Sequence, residues 1–329
     1  MIFQKNTKLV IAPALLLGAA LTFSPVQKAA AEDVTYLLPA PAFLPAFGPW
    51  MLAQAKGYYK AEGLNVKFQR ARGGVDVAKQ VGAGNAVIGG GIGDTPVIVR
   101  PNGIPVKAVA VLGAGSLVQL IAHADRGING PADLKGKTVT ALSLQDTTYY
   151  ALLGMMANAG LSRKDVNVQG AGPAGVWKLF IAGKADAMAG VPDWIGIAQG
   201  AGKKVKIFPA DQYFKSMAQA ILASDKVIKN NPQLIQKLVR ATLKGMNDIM
   251  TNPDAAAKVY VGHVKKNAKK LKYITNVFKM YNKYVYAGQK KLGRMDEARL
   301  ATLQKFYAKQ GIIRKQVPVK DLYTNQFVQ

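Results

Sequence analysis

No cysteine occurs in the 329 residues. That removes disulfides, thiolate nucleophiles and cysteine-ligated metal sites together. Histidine is nearly as scarce: with only His123 and His263, a histidine-rich metal centre or a chain of proton relays is excluded, and no metal site or cofactor is expected. Acidic residues are few as well, 18 against 44 lysines and arginines, for a formal net charge of +26. The shortage is sharpest between Ala255 and Met295, where no acid occurs. The same stretch carries Lys258, Lys265, Lys266, Lys269, Lys270, Lys272, Lys279, Lys283, Lys290, Lys291 and Arg294. A field of this kind suits nucleic acid, but no zinc-finger or RNP motif accompanies it, so no nucleic-acid partner is expected. A solvated basic face, or a surface for an anionic membrane or an acidic transporter, is left.

The N-terminus holds the one apolar stretch that bears on compartment. Lys5 and Lys8 precede an uncharged apolar core from Leu9 to Leu21, and Ala29-Ala30-Ala31 leads into Glu32-Asp33. Small residues at positions −3 and −1 of a cleavage point, with a basic leader, describe a secretory signal peptide over 1–31, cut after Ala31. The apolar core falls short of the roughly 20 residues a transmembrane anchor needs. No cysteine stands at the cut, so a lipid anchor is excluded. The reading is a soluble periplasmic protein. Protein recovered from the periplasm is expected to have an intact mass beginning at Glu32; a mass that retains Lys5 and Lys8 overturns it.

What is present is α/β grammar. Pro49–Lys56 carries Trp50, Met51, Leu52, Ala53 and Ala55, a helix that Gly57 ends. Gly63 then turns the chain into Leu64-Asn65-Val66-Lys67-Phe68, whose alternation predicts a half-buried strand. With Thr35–Leu38 ahead of it, this is a strand–helix–strand unit, which forces a parallel sheet. The pattern recurs: Asp146–Asn158 reads as a helix, Gly160 ends it, and Asp165–Gln169 is the next strand. Val66 and Val168 stand 102 positions apart, and Gly84 and Gly183, each before a further strand, 99 apart. Like spacing at two landmarks predicts two α/β lobes of similar design with a cleft between them.

Several motifs look chemical. Gly170-Ala171-Gly172-Pro173-Ala174-Gly175 is a formal G-x-G-x-x-G, but the strand before it alternates and the helix after it is short, so a dinucleotide site is not predicted. Gly113-Ala114-Gly115-Ser116 lacks the second glycine of a nucleophile elbow, and no Ser–His–acid set can be argued around His123. The helix starts carry more weight. Asp94-Thr95-Pro96 and Asp146-Thr147-Thr148 each follow a strand end, where α/β sheets bind ligands. Free N–H groups there favour an anionic or strongly accepting group, unless the Asp and Thr side chains consume them as ordinary caps. After the first strand, three prolines stiffen Pro39–Phe47 and hold out Phe43 and Phe47, which can stack on a flat ligand, though Phe47 also suits the core. Val191-Pro192-Asp193-Trp194 is the matching element later in the chain. Asp193 opposes an anion there; Arg70 and Arg72 either compensate or face solvent.

Ala53-Gln54-Ala55-Lys56-Gly57-Tyr58-Tyr59, with Glu62-Gly63-Leu64-Asn65-Val66, resembles the opening of the solute-binding proteins that serve ABC importers of sulfonate, taurine, nitrate and pyrimidine precursors. Gly93-Asp94-Thr95-Pro96, Gly103-Ile104-Pro105-Val106, Asp133–Val139, Ala159-Gly160-Leu161 and Gly183–Ala187 follow in the same order. The resemblance covers roughly residues 34–225. It implies a type II periplasmic-binding fold, with two lobes, hinge crossing strands, C-terminal helices, one small-molecule site and no catalytic residues. The expected lobes are 32–116 with 224–329, and 117–223, crossed by Leu117–His123 and Met217–Ala223, with the C-terminal helices packed on the first. In that family an aromatic and a proline line the cleft at the position of Pro192 and Trp194. The candidate ligand set is therefore Phe43, Phe47, Gly93, Asp94, Thr95, Ser116, Asp146, Thr147, Thr148, Pro192, Asp193 and Trp194. A monomer is expected, which binds a small organic solute and delivers it to a permease in the inner membrane. The lean is a sulfonate or other organic anion with an apolar or aromatic body. The alternatives are a pyrimidine or aromatic heterocycle, or a sensing role. The family also holds a yeast pyrimidine-precursor synthase with a cysteine-rich iron motif, an activity excluded here for want of cysteine.

Overall fold

The computed structural model describes residues 1–3 and 31–328. The expected signal segment thus lies almost wholly outside the described residues. From Glu32 onward the chain builds two five-stranded sheets.

The first sheet starts with β1 (Glu32–Leu38), α1 (Gly48–Ala55), α2 (Tyr58–Ala61), β2 (Leu64–Arg70), α3 (Gly74–Gly82), β3 (Ile88–Ile92), α4 (Thr95–Val99) and β4 (Val106–Val111). The chain crosses and builds the second from β5 (Gln119–His123), β6 (Thr138–Ala141), α5 (Thr147–Asn158), β7 (Asn167–Gly170), α6 (Gly172–Ile181), β8 (Ala187–Gly190), α7 (Pro192–Gly200) and β9 (Val205–Phe208). It then returns as β10 (Gln219–Ser224) and ends in α8 (Asp225–Asn230), α9 (Pro232–Thr251), α10 (Pro253–His263), α11 (Leu271–Tyr281), a π-helical turn (Asn282–Tyr286) and α12 (Glu297–Lys309).

The expected helix end at Gly57 is in place: its φ is +72°, in the left-handed region that glycine enters freely. β1 and β2 pair in parallel with Val34 opposite Val66, as a helical crossover requires. The two sheets share one topology. Their orders are β2-β1-β3-β10-β4 and β7-β6-β8-β5-β9, and in each the strand that follows a crossing enters antiparallel between two others. Val66 on β2 and Val168 on β7 therefore occupy equivalent strands, so the spacing in the sequence marks a real correspondence between the lobes.

One boundary differs from expectation. The apolar segments Leu117–His123 and Met217–Ala223 are largely strands, not crossings. β5 is hydrogen-bonded inside the second sheet, and β10, expected with residues 117–223, belongs to the first. Both are buried along their whole length, which is why they are apolar throughout. The crossings are the shorter pieces ahead of them, Leu112–Val118 and Pro209–Ala218. They run side by side, with Leu117 N–H donating to Met217 O at 3.1 Å and Leu112 N–H to Gln219 O at 2.7 Å.

The C-terminal helices start as their sequence predicts. Asn231 caps α9 and Asn252 caps α10, each accepting from a backbone N–H three residues on, with proline at the first helical position. Leu234, Leu238, Met246 and Ile249 form the buried face of α9, which packs on α1. α11 and α12, expected on the first lobe alone, also reach the second. α11 packs on α7, and from α12 the ring of Tyr307 lies 5.6 Å from that of Tyr150 on α5. No helix among the described residues is long and apolar enough to cross a membrane.

Candidate functional site

The seam between the two sheets gathers most of the candidate residues into two polar clusters. The first joins the start of α4 to the start of α5. Asp94 is buried and accepts a hydrogen bond from the hydroxyl of Tyr307 on α12. Its other oxygen, Oδ1, has no partner. Asp146, at the start of α5, faces it from the second lobe and contributes a repulsive charge. A Cβ placed on Gly73, immediately ahead of α3, would lie 3.7 Å from Asp146 Oδ2. Tyr150 and Tyr307 close the cluster edge to face, with centroids 5.6 Å apart. Burial, then the facing Asp146, push the Asp94 carboxyl up to about 7 against the pull of the Tyr307 hydroxyl and Arg299; burial raises Asp146 as well.

The two helix starts are not alike. Asp146 is an ordinary cap, accepting from Thr148 N–H at 2.9 Å. Asp94 does not cap α4 with its side chain; it is held by Tyr307 instead. Thr95 Oγ1 accepts from Ile92 N–H at 3.1 Å. Thr147 and Thr148 are buried, and Thr148 Oγ1 has no partner.

The second cluster surrounds Asp193 at the start of α7. Tyr281 donates to Asp193 Oδ1 at 3.1 Å, Tyr273 donates to its carbonyl at 3.1 Å, and Oδ2 is buried without a partner. Tyr281 stacks on Tyr286, whose hydroxyl is also buried and unpartnered. Burial raises the Asp193 carboxyl to about 6. Pro192 and Trp194 are buried beside it. The Pro45–Phe47 turn packs against α7, which brings Phe47 to this side of the seam, where it also meets Trp50 edge to face. Phe43 is only half-buried; its carbonyl accepts from Tyr260 and Asn267 at 2.8 and 2.6 Å.

Two candidates bond at the crossing: Gly93, between β3 and α4, and Ser116, within it. Gly93 donates its N–H to Ala218 O at 2.9 Å. Ser116 donates to Asp211 at 2.6 Å and accepts from Arg299 at 3.1 Å. Arg299 also bonds Asp211 and the carbonyl of Ala114, so α12 clamps both crossing segments. Gly115 donates its N–H to Val285 O at 2.9 Å, so Gly113-Ala114-Gly115-Ser116 serves close backbone packing at the hinge. Arg70 and Arg72 are exposed. His123 stacks on Phe180 and bonds its carbonyl at 2.7 Å. Gly170–Gly175 lies at β7, an edge strand of the second sheet.

Sequence reasoning missed Tyr150, Tyr281, Tyr286, Tyr307 and Arg299. Four of them lie beyond residue 280, where only a helical pattern was legible. The cue was Tyr281-Asn282-Lys283-Tyr284-Val285-Tyr286, three tyrosines in six residues. Among the described residues no cluster of three or more metal-ligating side chains occurs. The arrangement offers aromatic surface, two buried carboxylate oxygens and two hydroxyls without partners, with the charge of Arg299 already engaged by Asp211. Buried polar atoms without partners are rare, and four of those among the described residues, Asp94 Oδ1, Thr148 Oγ1, Asp193 Oδ2 and Tyr286 Oη, belong to these two clusters.

A family model described as "NMT1/THI5 like" matches residues 44–256. The riboflavin-binding protein RibY of Chloroflexus aurantiacus is 27% identical over 296 residues, covering 86% of this chain and 82% of its own. A 4-amino-5-hydroxymethyl-2-methylpyrimidine phosphate synthase of Aspergillus parasiticus is 24% identical over 237 residues, 66% of this chain and 67% of its own. Among solved structures, the periplasmic aliphatic sulphonate binding protein SsuA of Escherichia coli superposes with a TM-score of 0.70 at 15% identity, covering 90% of this chain and 93% of that one. That likeness fixes the periplasmic-binding fold.

Proposed function

We propose, given that the chain belongs to the NMT1/THI5-like family, that it is an extracytoplasmic binding protein whose lobes close on a flat, nitrogen-rich heterocycle, flavin or aminopyrimidine in type, and hand it to an ABC permease. The seam carries this reading. Asp94 Oδ1 and Asp193 Oδ2 are buried and unpartnered; they suit ring N–H or amino donors, while the tyrosines and Trp194 supply faces for stacking. The sequence alone leaned toward a sulfonate. Three buried carboxylates at one seam argue against that, because each would repel an anion in a medium of low dielectric. The names of two relatives, one for riboflavin and one for a pyrimidine phosphate, are in keeping with a heterocycle. A binding role is favoured over synthesis because buried carboxylate oxygens are left without partners at the seam, and because the chain has no cysteine for the iron motif that the family resemblance attaches to the synthase.

A thermal-shift and titration panel of riboflavin, an aminopyrimidine, an alkanesulfonate and nitrate tests this. A heterocycle is expected to raise the unfolding midpoint and, by small-angle scattering, to reduce the radius of gyration, and bound ligand with no such change rejects closure. Micromolar binding of the sulfonate with no response to either heterocycle rejects the ligand class.

A further inference from the structure

The basic stretch between α10 and α11 has no place in the ligand site. Lys265-Lys266-Asn267-Ala268-Lys269-Lys270-Leu271-Lys272 puts five lysines in eight residues, all exposed. Lys258 on α10 adds a sixth. Among the described residues no carboxylate pairs with any of these six; the nearby Lys279 has Asp254. An unneutralised cluster of this density repels itself and is stabilised by an anionic partner.

The cluster is also built rigidly. Asn267 is buried in its middle and donates to the Phe43 carbonyl, Tyr260 donates to the same atom, and the Lys266 ammonium rests 4.5 Å from the Phe43 ring centre. A turn held this way loses little freedom on docking. Two apolar side chains stand among the charges: Leu271, 39% exposed between Lys270 and Lys272, and Val259, 37% exposed beside Lys258. Beyond residue 3, Leu144 is the only other large hydrophobic side chain so exposed among the described residues. Lysines attract any polyanion, but a partly exposed leucine and valine beside them gain only where an apolar phase lies behind the charges. That combination is the chemistry of an interfacial membrane contact.

We propose that the α10–α11 turn is a docking surface for an anionic phospholipid bilayer. Lys258, Lys265, Lys269, Lys270 and Lys272 meet the headgroups, and Leu271 and Val259 enter the headgroup–acyl boundary. The turn is tied to the Phe43 loop, so docking sets this flank of the candidate site toward the membrane.

The test uses the chain from Glu32 onward with vesicles of phosphatidylcholine alone or with phosphatidylglycerol at three parts in ten, at about 0.1 M salt, read by co-sedimentation. The variant Lys258→Glu, Lys269→Glu, Lys270→Glu, Lys272→Glu is compared with one of equal net charge, Lys135→Glu, Lys164→Glu, Lys184→Glu, Lys204→Glu. All eight positions are exposed. Each lysine at an anionic surface is worth about fivefold in partitioning. The wild type is expected to bind the anionic vesicles only, the patch variant to lose at least thirtyfold, the control less than fivefold, and Leu271→Ser about fivefold. Equal losses in the two charge variants overturn the proposal. So does wild-type binding to soluble polyglutamate as tight as to vesicles with no effect of Leu271→Ser, which assigns the surface to an acidic protein. Both variants must melt as the wild type does; if the patch variant does not, Leu271→Ser decides alone.

Discussion

Asp193→Asn is expected to stabilise the protein and, at the same time, to weaken its hold on a heterocyclic ligand by about ten- to a hundredfold. The two effects have opposite signs for one physical reason. Asp193 is buried with one oxygen unpartnered, and burial raises its carboxyl to about 6. A carboxyl whose folded value lies above its unfolded one stabilises the fold fully at low pH and loses that contribution as pH rises through the folded value. Moving from the ordinary 3.8 to about 6 corresponds to about 3 kcal/mol, to order of magnitude. Wild type and variant should therefore melt alike near pH 4 and diverge up to about pH 7, with the variant the more stable. Asp94→Asn should follow the same course to slightly higher pH, because its carboxyl is raised to about 7. For binding, the amide places a donor where a ring N–H donor arrives, and losing a hydrogen bond to a charged group costs about 1.5–3 kcal/mol.

The wild-type affinity should also depend on pH with a diagnostic sign. A donor ligand binds the ionised carboxylates better, so its affinity rises between about pH 5 and pH 8. A sulfonate needs them protonated, and its affinity falls over the same range. Titration calorimetry at three pH values, with denaturant melts of both variants, reads all of this. A variant that is more stable and binds at wild-type strength removes Asp193 from the site.

Gly245→Val is expected to cost about 3 kcal/mol or more and to prevent the first lobe from assembling. Gly245 sits on the buried face of α9 where α1 crosses it, and a Cβ there would lie 2.0 Å from Pro49 O and 3.0 Å from Ala53 N. Backbone cannot rotate out of the way as a side chain can, so the helices must separate and lose their packing along the contact. Gly262→Ala is the internal control. Nothing lies within 4 Å of a Cβ at that α10 position, so the change removes backbone entropy from the unfolded chain and should raise stability by up to about 1 kcal/mol. Chemical denaturation of both chains decides it. A Gly245→Val protein that unfolds at the wild-type midpoint would falsify the close crossing of α1 and α9.

Much of this molecule was legible in the sequence because it rests on local rules. Gly57 and Gly63 turn the chain wherever a helix must stop and a strand begin, Asn231-Pro232 and Asn252-Pro253 open helices by capping, and alternation in Leu64–Phe68 marks a strand with one face covered. The repeated order of these signals was enough to foresee two lobes of like topology. What the sequence could not assign was membership and partnership. Residues 217–223 read as a crossing because a central strand and a buried linker are equally apolar, and only the hydrogen-bonded register places β10 in the first sheet. Asp94 and Asp146 look like twin helix caps; the fold makes one a cap and hands the other to Tyr307, which is 213 residues away. Apart from Tyr150 on α5, the tyrosines and Arg299 that complete the seam come from α11, the π-helical turn and α12, whose apolar spacing says that they are buried but not against what. Local propensity and periodicity act within a few residues. Which buried polar atom meets which, and which is left for a ligand, is decided only when segments distant in the chain are packed together.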